Sequence, residues 1–259
     1  MEESKAALPV VPPIVDVTPA RAFPLPRWFA ILQALAVCGI PTQLLIVVAL
    51  WSTTDLIRLD SSGLHMGLEF VATLMFLDTA LIALLIRVFL ELSGENSRSI
   101  FLGTRPVFGE MIRGLLFVPV VFIGVTVVVL GLRALVPGLK TVEVNPLAQY
   151  MQSPLDAAIF VFVVVLGAGI KEELQRAFIL HRFEQGLGGI RLGLIITTVA
   201  FGVLHVTQGI DAAIGIGLLG LFWGVLYIKR QSAVMSMTNH AAFDAAQVVQ
   251  YFLARSFGL

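Results

Sequence analysis

The chain has 259 residues, of which 58% are hydrophobic and 13% are charged, and its formal net charge is zero. Soluble domains carry about 25% charged residues, so this composition excludes an ordinary soluble domain and predicts a polytopic helical membrane protein. The neutral charge and the lack of a basic patch with interleaved aromatic residues argue against a nucleic-acid partner. The single cysteine, Cys38, excludes an internal disulfide, a cysteine-rich zinc site and an iron–sulfur cluster.

The N-terminal segment, residues 1–27, contains six of the twelve prolines. Proline at this density is incompatible with a helix, so we predict a flexible proline-rich tail. The segment also lacks the charged and then apolar order of a cleaved signal peptide. We assign residues 28–150 to N-terminal transmembrane helices and residues 151–259 to the part of the bundle that carries the candidate chemistry.

Seven apolar segments follow the tail, and each is near the length needed to cross about 30 Å of hydrocarbon. They are Trp28–Trp51, Gly67–Glu91, Leu115–Val136, Pro154–Glu184, Ile190–Val206, Ile210–Tyr227 and Ser232–Leu253. We predict an all-α fold class: one transmembrane helical bundle of about seven spans, or eight if a further span lies in the breaks. The bilayer surrounds this bundle, and a polar cavity lies inside it.

Basic residues predict the orientation of the bundle, because loops on the cytoplasmic side carry an excess of Lys and Arg. With the N-terminus in the cytoplasm, ten basic residues fall inside and four fall outside. The inside set is Lys5, Arg21, Arg27, Arg98, Arg105, Arg113, Arg182, Arg191, Lys229 and Arg230, and the outside set is Arg58, Arg133, Lys140 and Arg255. A cytoplasmic N-terminus is therefore favoured.

The fourth apolar segment carries charges where a membrane disfavours them. Ser153 can cap this helix and Pro154 suits its first turn, and we expect the helix to continue past Ile170 through Glu172 and Glu173. Each charge at the centre of a spanning helix costs at least about 2.5–3.5 kcal/mol, so such groups indicate a functional site by default. If the helix instead ended near Ile170, both acids would be interfacial and would need no cavity.

Side-chain directions separate the two acids. Glu172 and Glu173 differ by about 100° around a helix, so only one of them can face a given cavity. Glu172 and Arg176 are four residues apart, so they share a face and can pair.

Other polar groups fall at a similar depth in later spans. His205 ends the fifth apolar segment, and His240 and Asp244 lie one turn apart in the seventh. At a rise of about 1.5 Å per residue, these groups and Glu172 occupy one layer of the bilayer. The alternatives are that His205 pairs with a neighbouring helix and that His240 and Asp244 bond only each other.

Three further polar residues have structural interpretations. Asp78 lies in the middle of the second span, where we expect a structural contact, such as a pair with an arginine, rather than a catalytic role. His65 and His181 fall in or near loops, so we expect both to be solvated.

Two acids and two imidazoles around a polar cavity can hold a water molecule. A carboxylate in low-dielectric surroundings can act as a general base near neutral pH, and imidazole N–H groups can stabilise an oxyanion. These groups supply what is needed to add water to a peptide carbonyl inside a membrane.

The same residues resemble three ordered motifs of the CPBP family, which contains the type II CAAX prenyl endopeptidases and the bacteriocin-processing and self-immunity proteins. The motifs are Glu172-Glu173-x-x-Arg176, Phe201-x-x-x-His205 and His240-x-x-x-Asp244, and the resemblance covers roughly residues 154–255. It implies a glutamic-type intramembrane endopeptidase that cleaves a membrane-associated protein or peptide and resides in a bacterial cytoplasmic membrane.

The resemblance also implies roles for single residues. Glu172 would be the general base, His205 would help to hold the water, and His240 and Asp244 would form the oxyanion side. Glu173 and Arg176 would support this geometry. The last position is often Asn in CAAX-processing members, and an ionised Asp244 cannot donate a hydrogen bond, so it must be protonated or must orient His240.

Two alternatives remain open from the sequence. Glu172, His205 and His240 are suitable zinc ligands by type, but the HExxH spacing is absent, so we expect no cofactor. A non-proteolytic immunity or scaffold protein can use the same fold, because fold does not determine function. A proton-coupled transporter is a weaker third option.

Overall fold

A computed structural model describes residues 25–60 and 63–258. Most of the proline-rich tail predicted at residues 1–27 lies outside the described residues. The helices are α1 (Arg27–Val37), α2 (Ile40–Thr53), α3 (Leu68–Leu92), α4 (Ser97–Phe101), α5 (Val107–Leu135), α6 (Pro154–Val164), a π-helical segment (Val165–Glu172), α7 (Glu173–Gly186), α8 (Ile190–Leu204), α9 (Ile210–Arg230) and α10 (Val234–Ser256). Two strands, β1 (Ile57–Asp60) and β2 (Gly63–Met66), pair as an antiparallel hairpin before α3.

The predicted all-α fold class is confirmed, and each of the seven apolar segments is helical. Within the described residues, four helices are long and apolar enough to cross a membrane: α3, α5, α9 and the continuous helix Pro154–Gly186. Helices α1 and α2 qualify together as a fifth span, whereas α8 is shorter. The protein is therefore an integral membrane protein, and the number of seven spans stays a prediction.

The sequence suggested one straight helix for the first span, but the structure has two helices with a bend between them. Helices α1 and α2 meet at a bend of 46°. Gly39 lies at this break with φ of +93°, a backbone conformation that L side chains rarely adopt. The hydrogen bond from Gln175 Nε2 to the Val37 carbonyl (2.6 Å) occupies one of the carbonyls that the break leaves without a helical partner.

The fourth span continues past Ile170, as predicted. Ser153 and Asp156 form a reciprocal capping box at its start, and Pro154 occupies the first turn. The helix then widens into the π-helical segment before α7, so its 33 residues from Pro154 to Gly186 form one apolar element. This continuity places both glutamates inside the bundle rather than at a solvated helix end.

Contacts at the two ends of the bundle show which helix termini lie together. At one end, called the basic end here, Arg105 Nε donates to the Arg230 carbonyl, and the Ala233 N–H donates to Phe101. At the other end, called the distal end, Arg133 pairs with Asp211 at 2.6 Å. There, Asn145 also contacts Gln208, and Arg255 donates to the Met151 carbonyl. Consecutive helical segments therefore run in alternating directions.

A buried ionic cluster ties the loop after α3 to α7 at the basic end. The Glu95 carboxylate accepts hydrogen bonds from Arg182 Nη1 (2.5 Å) and His181 Nε2 (2.6 Å), and the Arg182 side chain is fully buried. The prediction that His181 is simply solvated is therefore wrong, because α7 extends far enough to bring it to Glu95. Burial opposes ionisation of Glu95, but the hydrogen bonds from His181 and Arg182 outweigh it and hold the pKa of this carboxyl below its ordinary value.

The substitution Glu95→Gln should destabilise the protein at neutral pH by about 2 kcal/mol, because it leaves buried Arg182 without its charged partner. A carboxyl with a lowered pKa in the folded state stabilises the protein above its unfolded-state pKa. That contribution is lost as the pH falls through the folded-state value. The difference in apparent Tm between wild type and Glu95→Gln in detergent should therefore be largest near neutral pH and shrink as the pH falls through the lowered pKa of Glu95.

Glu91→Gln provides the matched control, because Glu91 pairs with Arg87 on an exposed helix face. Exposed pairs contribute about 0–1 kcal/mol, so this variant should keep the wild-type Tm within a degree or two. An equal loss of stability in both variants, or a difference for Glu95→Gln that grows at low pH, would contradict the assignment.

Candidate active site

The candidate site is built around the π-helical segment, which packs tightly between α3 and α10. A Cβ atom on Gly169 would lie 2.3 Å from the Ala241 Cβ, and one on Gly167 would lie 2.9 Å from Met75 Sδ. At Gly169 only glycine permits this approach, because the atoms it meets belong to the backbone and Cβ of Ala241, so the segment lies directly against the helix that carries His240. π-Helical turns inside α-helices are frequent at functional sites.

The side chains of three consecutive charged residues, at the end of this segment and the start of α7, have different surroundings. Lys171 is buried and its Nζ lies 2.8 Å from Asp78 Oδ2 on α3. Asp78 also accepts a hydrogen bond from Thr42 Oγ1 (2.5 Å) and one from Gln43 Nε2 (3.1 Å). The structural role expected for Asp78 agrees with these contacts, although its cationic partner is a lysine and not an arginine. The pair holds the π-helical segment to α3 on the side away from α10.

Glu173 is buried and carries two of the contacts that define the site. Its Oε1 accepts a hydrogen bond from Arg176 Nη1 and lies 3.0 Å from His240 Nδ1. Arg176 therefore pairs with Glu173 and not with Glu172, the partner that the sequence allowed. The π-helical segment ends at Glu172 and α7 begins at Glu173, so Glu173 and Arg176 share the first turn of α7. The Arg176 guanidinium also lies over the Phe201 ring, 4.7 Å from its centroid.

Glu172 faces the cavity, in contrast to its neighbour. Its side chain is 24% exposed, whereas that of Glu173 is 1% exposed. Its Oε2 atom is buried without a hydrogen-bond partner among the described residues, and it lies 3.9 Å from His240 Nε2. This distance is too long for a direct hydrogen bond, so Oε2 keeps its capacity to accept a proton.

His240 is the centre of the polar contacts. Its ring stacks on Trp223 with centroids 3.6 Å apart, and Trp223 is fixed by a hydrogen bond from Nε1 to Asn239 Oδ1 of 2.8 Å. Asn239 in turn donates to the Gly114 carbonyl of α5. Sequence reasoning missed Trp223 and Asn239. Asn239 directly precedes His240 in the motif, but nothing in the sequence pairs α9 with α10 at this position.

The contacts of His240 orient its ring. Glu173 accepts from Arg176 and therefore acts as the acceptor for His240 Nδ1. His240 Nε2 lies 3.3 Å from Asp244 Oδ2, and Glu172 lies further out. A carboxylate therefore lies beside each ring nitrogen, so Asp244 can orient His240 without donating a hydrogen bond itself.

His205 lies at the end of α8, where it caps the helix. Its Nδ1 lies 2.7 Å from the Phe201 carbonyl, which can only accept, so Nδ1 carries the hydrogen. In the neutral ring, this tautomer leaves Nε2 as an acceptor. Phe201 packs against the His205 ring with centroids 4.8 Å apart.

All four predicted catalytic residues line one cavity of about 430 Å³. Its lining includes Glu172, His205, His240 and Asp244 together with apolar side chains from α5, α6, α9 and α10. Glu173 and Arg176 are buried behind the wall, as supporting residues would be. Ligand sites commonly combine this size with apolar walls and a few convergent polar groups.

A metal site requires several ligating side chains placed around one point. Within residues 25–60 and 63–258, no group of three or more His, Cys, Asp and Glu side chains is placed to hold a metal ion. The zinc ligands considered from the sequence, Glu172, His205 and His240, therefore do not form such a group.

Residues 154–246 match the family model of type II CAAX prenyl endopeptidase Rce1-like proteins. The predicted CPBP family is confirmed over this segment. The match includes the π-helical segment and all three motifs, and it supports a CAAX-type protease, which is a peptide hydrolase of the membrane. No curated protein and no solved structure matches the chain significantly.

The substitution Gly169→Ala should separate the π-helical segment from α10. Its Cβ would overlap Ala241, so either the backbone or the helix contact must shift, at a cost of about 1–3 kcal/mol. Because this contact sets the distance between Glu172 and His240, peptidase activity should fall at least tenfold in protein that still inserts.

Gly131→Ala on α5 is the matched control, since nothing lies within 4 Å of its added Cβ. Alanine is the better helix former, so this variant should be as stable as wild type or more stable. Comparing Tm and activity of the two variants tests the contact, and an unimpaired Gly169→Ala protein would show that the approach is not needed.

Proposed function

We propose that the chain is a glutamic-type intramembrane endopeptidase that hydrolyses a peptide bond of a membrane-associated protein or peptide. The observation that carries this proposal is the Glu172 carboxylate, whose Oε2 is buried without a hydrogen-bond partner and faces His240 in a cavity. A purely structural buried carboxylate would be paired, as those of Asp78 and Glu173 are.

In the first step, Glu172 acts as the general base. Its carboxylate takes a proton from a water molecule while the water oxygen forms a bond to the carbonyl carbon of the scissile peptide. His205 Nε2 helps to hold this water, because Nδ1 is committed to the Phe201 carbonyl.

In the same step, the carbonyl oxygen becomes an oxyanion. His240 Nε2–H stabilises this negative charge, and the contacts from Glu173 and Asp244 keep the imidazole oriented. The stack on Trp223 fixes the plane of the ring. Such a preorganised donor contributes about 3 kcal/mol to transition-state stabilisation in other hydrolases.

The tetrahedral intermediate then breaks down. The C=O bond re-forms as the C–N bond breaks, and Glu172 returns its proton to the leaving nitrogen. The products are a carboxylic acid and an amine, and Glu172 is again ionised for the next cycle. Glu173 and Arg176 do not touch the reacting atoms in this scheme; they hold His240.

The setting of the reaction follows from the charges of the loops. We place the N-terminus in the cytoplasm of a bacterium and the bundle in the cytoplasmic membrane. The proposed chemistry uses only Glu, His and Asp side chains and water, so it requires no metal and no nucleic-acid partner. Phenanthroline should accordingly leave the rate of cleavage unchanged.

The substitution Glu172→Gln should reduce cleavage by at least about 100-fold, because the amide cannot accept the proton of water. Its similar shape should leave insertion and apparent Tm unchanged. The measurement compares the uncleaved membrane peptides that accumulate in cells carrying the variant and in cells carrying wild type.

Glu184→Gln serves as the control, since Glu184 is an exposed carboxylate on the same helical element. It should behave as wild type. A cellular phenotype that survives Glu172→Gln at normal expression would instead favour a non-proteolytic immunity or scaffold protein.

The substitution Asp244→Asn separates two roles for this position. If the Asp244 carboxylate orients His240 by accepting from Nε2, the variant should lose at least tenfold in activity, because a neutral amide is a weaker acceptor. If the position must donate to the oxyanion, Asn supplies that donor and activity should persist or rise. Asp55→Asn, at an exposed loop carboxylate, is the control that should leave activity unchanged.

A further inference from the structure

The cavity extends from the candidate catalytic residues toward the distal end of the bundle. On α10 its lining runs from His240 through Gln247 to Tyr251, which lies about 16 Å further along the helix axis. On α5 it reaches Arg133, two residues from the helix end, and beyond α8 it reaches Gln208. The cavity therefore approaches the loops at which α5 and α8 end.

The side of the site toward the basic end is filled by side chains. A buried apolar cluster includes Ile86 and Leu90 of α3, Phe178 of α7, Tyr227 of α9 and Ala233 before α10. Phe178, Leu90 and Ala233 are each at most 1% exposed. Such a packed layer admits neither water nor a peptide, so the cavity has its access at the distal end.

The distal mouth has the chemistry of a peptide-binding groove. Its rim carries the amides of Asn145, Gln208 and Gln247 and the hydroxyl of Tyr251, which can donate to and accept from a peptide backbone. Arg133 also lines it, but its charge is balanced by buried Asp211 at 2.6 Å. Apolar residues of α5, α6 and α10 form the deeper walls. An extended peptide with apolar side chains fits this pattern.

The two ends of the bundle differ in basic charge. The described residues at the basic end include Arg98, Arg105, Arg182 and Arg230. The sequence assigns ten basic residues to this side of the membrane and four to the other side. By the positive-inside rule the basic end is cytoplasmic, so the mouth of the cavity opens on the exterior face of the membrane.

We infer that the site is served from the exterior face, and that its substrate is a membrane-anchored peptide whose cleavage site lies in the exterior half of the bilayer. The substrate part of this inference rests on the proposed peptidase function. The position of the mouth does not, because it follows from the packing and the loop charges alone.

Cysteine labelling in intact bacterial cells tests the position of the mouth. In a Cys38→Ser background, Asn145→Cys reports on the distal mouth and Ser97→Cys on the basic end, and both sites are exposed. A membrane-impermeant maleimide should label Asn145→Cys in intact cells and Ser97→Cys only after the membrane is opened. A second pair, Glu143→Cys and Ser99→Cys, provides the same comparison if either first variant fails to fold.

Three results in intact cells would contradict an exterior mouth. They are labelling of Ser97→Cys alone, labelling of both sites, and labelling of neither site.

The same cells test the route of the substrate. Maleimide on Asn145→Cys should cause accumulation of the uncleaved membrane peptides seen with Glu172→Gln, and unimpaired cleavage would exclude this route. If Glu172→Gln accumulates no peptide, the proposed function fails, but the labelling pattern still decides the orientation.

Discussion

The structure of the site depends on the burial of the Glu173 carboxylate inside a membrane-embedded bundle. An unpaired charge there costs at least about 2.5–3.5 kcal/mol, so the position of every neighbour that can neutralise it is constrained. Arg176 supplies the positive charge from the same helix turn, and His240 supplies a second donor from α10. Both donors contact Glu173 Oε1, so this oxygen connects the first motif with the third. It thereby determines which ring nitrogen of His240 remains directed at the cavity.

Close backbone packing makes that shared contact possible. Gly169 lets the π-helical segment lie on Ala241, and Gly220 lets α9 lie against Phe201, where an added Cβ would be 2.7 Å from the ring. In lipid, where apolar burial gives helices little reason to associate, small residues and polar contacts provide the attraction. The glycines of α9 and the charges of the fourth span are therefore parts of one arrangement. Substitution at either affects the other through the distance between helices.

Much of the fold followed from the sequence because apolar segment length and loop breaks specify membrane helices directly. The continuation of the fourth span past Ile170 and the capping box at Ser153 were predictable for the same reason. The break at Gly39 and the pairing of Arg176 with Glu173 were not. Both depend on local backbone geometry, a left-handed glycine and a π-helical turn, which hydrophobic periodicity does not report.

Within the site, the sequence could place Glu172, His205, His240 and Asp244 at one depth, because depth follows from counting residues along helices. It could not supply Trp223 and Asn239, because their roles arise from which helices are neighbours and at what rotation. It also could not decide between donor and orienting roles for Asp244. That distinction depends on the 3.3 Å contact with His240 Nε2 and on the engagement of Nδ1 by Glu173.

The three consecutive charges of the fourth span now separate by function. Lys171 is neutralised by Asp78 on α3, and Glu173 is neutralised by Arg176 and His240. Both pairs fix the π-helical segment from opposite sides. Glu172 lies between them in the sequence and lines the cavity. Its buried Oε2 atom accepts no hydrogen bond from a described residue. Leaving a buried carboxylate unpaired in this way costs stability. In the proposed mechanism, this unsatisfied oxygen is the one that accepts a proton from water.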